Sequence, residues 1–434
     1  MYRTSRQTSS PPPDRPLEPA QVDQLFRELL RKDPENSELL SDYAGFLRSI
    51  ENFDRALQMY ERAIVIQPDN ADVLCDFADL LMSVSDDRER AGELLRRAME
   101  SDPENGLVVA CYGTLRCIQD ATDEAESLYE RALELSPNVG EVHSRFAWFH
   151  TLEGMDWDRA ESLYESAIEI SPNDFTTLFR FARFLRHIRD DTDRAEEFYD
   201  RALDVDPADA ELLCEYALFQ IQDRQNFDRA EELLNASVAN DPNNASILGN
   251  FAVFYHKERQ DSGRAEEMYE RALKAGPDHS NNMINFAGFL YSARDDVERA
   301  GELFERAGEL GADTASYFGN YGQLLLCQGN YDRGMELIDR ANVVDHDDLE
   351  LEIELAFSRY VHGPVAERGK CLNEVLRMLN DGVRSPDWNL QPHVRRAVAN
   401  GFEAEASLSD LAQVIVAATD IEELAKHPEW PATS

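Results

Sequence analysis

An alanine that recurs every 34 or 35 residues leaves this chain few folds to choose from. It stands at Ala56, Ala91, Ala125, Ala160, Ala195, Ala230, Ala265 and Ala300, with Gly334 as a ninth, at intervals of 35, 34, 35, 35, 35, 35, 35 and 34 residues. Around it runs a stretch such as RAEEFYDRALDVDP from Arg194 to Pro207, echoed from Arg55, Arg159 and Arg264. Ala195, Phe198, Tyr199 and Ala202 fall at i, i+3, i+4 and i+7, an apolar stripe on a 3.6-residue helix, with Glu196, Glu197, Asp200 and Arg201 on the wet side. Pro207 ends that helix, because proline drives the residue before it out of helical geometry. A unit this short cannot bury its own apolar face, so neighbours must stack into one continuous, quasi-one-dimensional body.

A second series marks a preceding helix: Ala44, Ala78, Gly113, Ala147, Ala182, Ala217, Ala252, Ala287 and Gly322. Each directly follows an aromatic residue: Tyr43, Phe77, Tyr112, Phe146, Phe181, Tyr216, Phe251, Phe286 and Tyr321. A small residue lets two helices approach, and the ring beside it fills the seam to the next unit. The two series lie 12 residues apart in units one, three and nine and 13 in the others, so the extra residue belongs to the turn between helices, where insertion costs least. Four residues before the second-helix alanine stand Asn52, Asp87, Asp156, Asp191, Asn226, Asp261, Asp296 and Asn330, with Ala121 as the exception. Asp and Asn there satisfy the orphan amides of a helix start. Asn36, Asn70, Asn105, Asp174, Asp209 and Asn244, two residues after the closing prolines, are placed to cap the next first helix. The paired aspartates Asp86-Asp87, Asp190-Asp191 and Asp295-Asp296 lack the alternating acidic loop and central glycine of a calcium site.

The ends depart from the repeat. Residues 1–17 are polar and proline-rich and read as a disordered tail, and 18–36 as an amino-terminal capping helix carrying Val22, Leu25, Phe26, Leu29 and Leu30. Nine repeats fill 37–347 and a degenerate one 348–380, with Gly369 and Asn373 where alanine and aromatic belong. The stretch 381–434, with Trp388, Pro392 and Trp430, reads as a carboxyl-terminal helical cap and tail, or alternatively as a docking module.

These residues resemble the tetratricopeptide repeat (TPR), a 34-residue helix–turn–helix with small residues on both helices, an aromatic on the second and a closing proline. Unit one matches in order, with Ala44, Ala56, Tyr60, Ala63 and Pro68. The resemblance covers about 37–347 and implies an all-α, right-handed superhelical solenoid of nine to ten repeats with helical caps. It departs mildly, in its 35-residue units and in the aromatic before the first-helix alanine. The half-a-TPR repeats of RNA-processing scaffolds share the second helix but typically carry tryptophan on the first, where only Trp148 is near.

The composition narrows the function classes. Lys+Arg 43 against Asp+Glu 85 gives a net charge of −42, which keeps the chain soluble and turns it from nucleic acid and anionic membranes. The cysteines at 75, 111, 117, 214, 327 and 371 show no metal-ligand spacing, and the amino terminus has no apolar signal-peptide core. We expect a cytoplasmic protein without metal or cofactor. There is no nucleophile elbow, HExxH or phosphate-binding glycine loop, so no enzyme is expected.

TPR arrays hold an extended peptide or a partner's helix on the face lined by first helices. Two residues before the first-helix alanine, three units carry Asn250, Asn285 and Asn320. An asparagine amide gives and accepts hydrogen bonds, so a ladder of them suits a peptide backbone; the alternative is asparagine merely tolerated on a polar face. Arg145 and Arg180 hold the same position in two earlier units, and Arg183, Arg186 and His187 follow Arg180. This basic face suits acidic side chains, a carboxyl terminus or phosphate. Its rival is internal pairing with Asp190, Asp191 or Glu215. The lysine of the carboxylate clamp that some TPR proteins use is replaced by Ser41, Cys75, Ala110 and Ser144. The first reading is a scaffold or adaptor for an extended or acidic segment of another protein. A half-a-TPR-like assembly subunit and a ligand sensor acting through 348–434 are the alternatives.

Overall fold

The computed structural model describes residues 19–427 apart from 51, 85–86, 155, 345–347, 387 and 403–404. The tail expected over 1–17, Asp86 and Trp430 lie outside the described residues, which are all helix and turn. The chain forms two compact units, Met1–Pro207 and Ala208–Ser434. In the first, helix α1 (Pro19–Lys32) precedes five helix pairs: α2 (Ser37–Ser49) with α3 (Phe53–Ile66), α4 (Ala71–Val84) with α5 (Arg88–Ser101), α6 (Gly106–Ile118) with α7 (Thr122–Leu135), α8 (Gly140–Glu153) with α9 (Trp157–Ile170), and α10 (Phe175–Phe184) with α11 (Thr192–Val205). In the second, five more follow: α12 (Ala210–Gln222) with α13 (Phe227–Asn240), α14 (Ala245–Lys257) with α15 (Ser262–Ala275), α16 (Ser280–Arg294) with α17 (Val297–Glu309), α18 (Ala315–Gln328) with α19 (Tyr331–Ala341), and α20 (Leu349–His362) with α21 (Arg368–Asn380). Helices α22 (Gln391–Ala399) and α23 (Glu405–Ile415) and a 3-10 turn at Ile421–Lys426 end it.

The two alanine series are the contact between the helices of each pair, and they are fully buried in repeats one, two and four to eight. The aromatic residues join one repeat to the next. Tyr60 stacks on Phe77 at 5.7 Å between ring centres, Tyr129 on Phe146 at 5.2 Å, Tyr164 on Phe181 at 5.2 Å and Tyr269 on Phe286 at 5.1 Å. Burying such a ring contributes about 1.5–3 kcal/mol, and stacking adds about 0.5–1.5 kcal/mol. The arginine before each second-helix alanine covers the joint. Arg90, Arg159, Arg194 and Arg299 lie over Phe77, Phe146, Phe181 and Phe286, and each pairs with the glutamate 29 residues earlier: Glu61, Glu130, Glu165 and Glu270. A second arginine, at 62, 131 and 201, donates to the carbonyl of Pro34, Pro103 and Pro172, the proline that follows the preceding unit's last helix. Much of the chain's scarce positive charge is therefore spent on repeat-to-repeat joints.

Capping follows the expected positions with instructive exceptions. Asp87, Asp156, Asp191, Asn226, Asp261 and Asp296 accept the backbone N–H three residues on. Asn52 and Asn330 hold the cap position but make no side-chain cap bond, which corrects their assignment as side-chain caps. Two first helices start without the expected residue, at Val139 and at His279, whose imidazole accepts from the Asn282 N–H.

Within each unit successive first helices pack directly on one another, α2 on α4, α4 on α6, α6 on α8 and α8 on α10, then α12 on α14, α14 on α16, α16 on α18 and α18 on α20. Second helices pack on their own first helix and on the next one. The first helices thus line the inner side of each stack. In the second unit α22 also packs on α18 and α20, and a separate apolar cluster built on Phe357, Val375, Leu379, Leu390, Leu408 and Leu411 seals the last repeat.

Candidate functional site: the inner faces of the two units

The inner face of the first unit presents residues that lie two before and one after each first-helix alanine. Arg145, on α8, reaches across two repeats to Asp79 on α4, donating through both terminal nitrogens, one at 3.3 Å. It also donates to Glu141 from Nε at 3.0 Å. This cation is internally paired, as the rival reading expected. Burial works against its charge, but Asp79, Cys111 and Glu141 outweigh that and hold it firmly protonated. Asp76 lies on the same face, where neighbouring protein displaces part of its hydration. That loss, reinforced by Asp79 and Glu141, raises its carboxyl to about 6.

Arg180 and Arg183 are different. Among the described residues neither makes an ion pair. The Arg180 guanidinium lies over the Trp148 ring at 5.1 Å, and Arg183 over Phe179 at 5.9 Å. The groove walls strip water from Arg180 and so lower its pKa below the usual arginine value, and neighbouring Arg145 lowers it further against the pull of Tyr164 and Asp79. Arginine stays charged through such shifts. A ring face attracts a cation by about 0.5–2 kcal/mol, well short of the several kcal/mol per ion that desolvation costs. The Nε of Arg183 is buried without a hydrogen-bond partner. Beyond Phe184 the α-helix widens into a π-helical turn, Leu185–Arg189, which carries Arg186, buried, and His187, exposed. Trp148 was noted in the sequence only as an isolated tryptophan, and Asp79 not at all. Asp79 sits on the register position after the alanine, but its partner lies 66 residues away.

In the second unit the asparagines occupy the expected face with unequal freedom. The Asn250 amide donates to the Cys214 thiol at 3.5 Å. Asn285 is exposed and Asn320 half-buried, and both line a cavity of about 320 Å³ together with Lys257, Phe289, Ser292 and Trp388. Glu354 takes the same position in the tenth repeat and is buried. Its carboxyl accepts from Gln323 Nε2 at 2.9 Å and from Ser385 Oγ at 2.5 Å. Gln323 Oε1 in turn accepts the Trp388 indole N–H at 2.9 Å, and the indole lies 5.1 Å from the Tyr291 ring. Sequence reading placed Trp388 in the terminal cap but not on this face, because no repeat register extends to it.

Among the described residues no group of three or more His, Cys, Asp or Glu is arranged to hold a metal. None of the described helices is long and apolar enough to cross a membrane. The first inner face thus presents two guanidiniums with no ion-pair partner among the described residues, and the second presents the amides of Asn285 and Asn320.

A tetratricopeptide repeat model matches residues 24–71 and 189–245. No curated protein sequence matches the chain. Among solved structures, the APC/C hetero-tetramer Cut9–Hcn1 includes a similar chain at 16% identity and a TM-score of 0.54, over 70% of this chain and 59% of that one. This chain thus spans about three-fifths of that relative. Yeast Tom70 is similar at 15% identity and a TM-score of 0.44, over 91% of this chain and 95% of that one. PilF of Pseudomonas aeruginosa is similar at 18% identity and 0.43, over 50% and 96%. At these identities the likeness is one of fold.

Proposed function

Because this chain is a tetratricopeptide repeat protein, and so built as a protein-interaction scaffold, we propose that the inner face of its first unit captures an acidic, extended segment of a partner protein. One observation carries the reading: Arg180 and Arg183 stand one helical turn apart on α10, and among the described residues neither has a carboxylate partner, in a chain with 85 acidic residues. Partner carboxylates would replace the water these guanidiniums lose, through charge-assisted and often bidentate bonds. Trp148 and Phe179 each lie against one of the two guanidiniums. Arg145, already held by Asp79 and Glu141, is assigned to fixing the wall, and the half-buried Asn320 and exposed Asn285 to a backbone-binding ladder on the second unit.

The test is fluorescence anisotropy of a labelled glutamate-rich peptide against the full chain and the Arg180→Glu/Arg183→Glu variant at about 0.15 M salt, where a Debye length near 8 Å screens the overall negative charge. Charge-assisted bonds worth about 1.5–3 kcal/mol each predict a loss of tenfold or more, with unchanged far-UV circular dichroism. Equal affinities overturn the reading.

A further inference from the structure

We propose that the inner face of repeats eight to ten is a second recognition surface, for an extended segment that offers a hydroxyl residue followed three positions later by tryptophan. The chain's own 383–390 strap occupies that surface as a displaceable ligand. Its described residues, 383–386 and 388–390, lie outside any helix between α21 and α22. Val383, Trp388 and Leu390 pack the strap into the carboxyl-terminal apolar cluster, and specific donors fix its register. Ser385 gives its hydroxyl to Glu354 at 2.5 Å, and Trp388 gives its indole N–H to Gln323 at 2.9 Å.

The receptor for these donors is built into the repeats. Gln323 and Ser358 are wholly buried and Glu354 nearly so, and the Ser358 hydroxyl and the Gln323 amide tie them together across α18 and α20. The indole rests on Tyr291 and against Gly288, where an added Cβ would come within 3.7 Å of the ring. Buried acceptors of this kind are costly to leave unmet, so the surface selects an occupant carrying both donors at this spacing. Beside the strap the 320 Å³ cavity lined by Asn285 and Asn320 remains open, room for a longer segment than the strap itself. This site lies in the other unit from the arginine face, so either can fail without the other.

The experiment uses the full chain and a labelled peptide, VRSPDWNL, copied from residues 383–390. With Trp388→Ala the tethered strap loses its anchor, and the peptide should bind that variant about tenfold or more tighter than wild type, as buried tryptophan anchors dominate such interfaces. Adding Gln323→Ala should abolish the gain, and a peptide with alanine for its tryptophan should not bind. No binding to a Trp388→Ala chain of native helicity, or equal binding to wild type, overturns the proposal. Should Trp388→Ala unfold, hydrogen exchange on the wild type decides. Opening of 383–390 well before α18 and α20 supports a displaceable strap, and opening together with them overturns it.

Discussion

Replacing Glu354 with glutamine should remove a pH-dependent weakness from the last repeat. The carboxyl is buried, and loss of water is the main reason its pKa rises from 4.5 to about 7, with Asp348 and Glu350 adding repulsion and the Ser385 and Gln323 hydrogen bonds opposing. A group whose pKa is raised by folding stabilises the fold fully below its unfolded pKa, and that stabilisation is lost as pH climbs through the folded value. The loss therefore runs from about pH 4.5 to about 7 and then levels off. A shift of about 2.5 units at 1.36 kcal/mol each amounts to roughly 3 kcal/mol. Burial lowers the paired His362 and His393 instead, His362 to about 4, so their contribution is lost toward acid; it is common to both proteins and cancels. Glutamine keeps the shape and can still accept from Gln323 and donate to Ser385. The assay is hydrogen exchange of α20 at pH 5 and pH 8, read as opening free energies. Glu354→Gln should exceed wild type by less than about 1 kcal/mol at pH 5 and by about 3 kcal/mol at pH 8. An equal difference at both pH values refutes the reasoning.

Other outcomes follow from the same packing. Arg145→Ala leaves Asp79 half-buried and unpaired and should cost about 2–4 kcal/mol in urea unfolding; a loss within experimental error would show the pair to be incidental. Asp156→Ala should cost about 1 kcal/mol as a lost cap, whereas Asn52→Ala, whose side chain caps nothing, should cost distinctly less on the same thermal melts. Tyr164→Ala removes the ring joining repeats four and five and should cost about 3–5 kcal/mol, with hydrogen exchange faster in α9 and α10 but little changed in α2 and α3, since a stack transmits loss only to its neighbours.

The repeat was legible because its determinants are local. Ala195, Tyr199, Asp191 and Pro207 each do in the structure what their spacing implied, within one helix pair or to the next. What escaped sequence reading depends on residues two repeats apart or beyond the register. The Arg145–Asp79 pair crosses the inner face, so no spacing rule within a repeat connects its partners. Asn52 has the right identity at the right position, yet a cap bond requires side-chain geometry that identity does not supply. The π-helical turn after Phe184 departs from the even α-helical spacing assumed for Arg180, Arg183 and Arg186. Trp388 reaches Gln323 and Tyr291 only because the chain turns back after α21, and no periodicity extends that far.

Fluorine NMR on the chain labelled with 5-fluorotryptophan locates the acidic segment most directly, since Trp148 lies against Arg180 and the other tryptophans, Trp157, Trp388 and Trp430, belong to different helices or to the carboxyl-terminal stretch. Titration with the glutamate-rich peptide should move the Trp148 resonance to saturation, leave Trp388 in place, and do neither in Arg180→Glu/Arg183→Glu. Saturable binding that shifts another tryptophan and leaves Trp148 still would contradict capture by the arginine face.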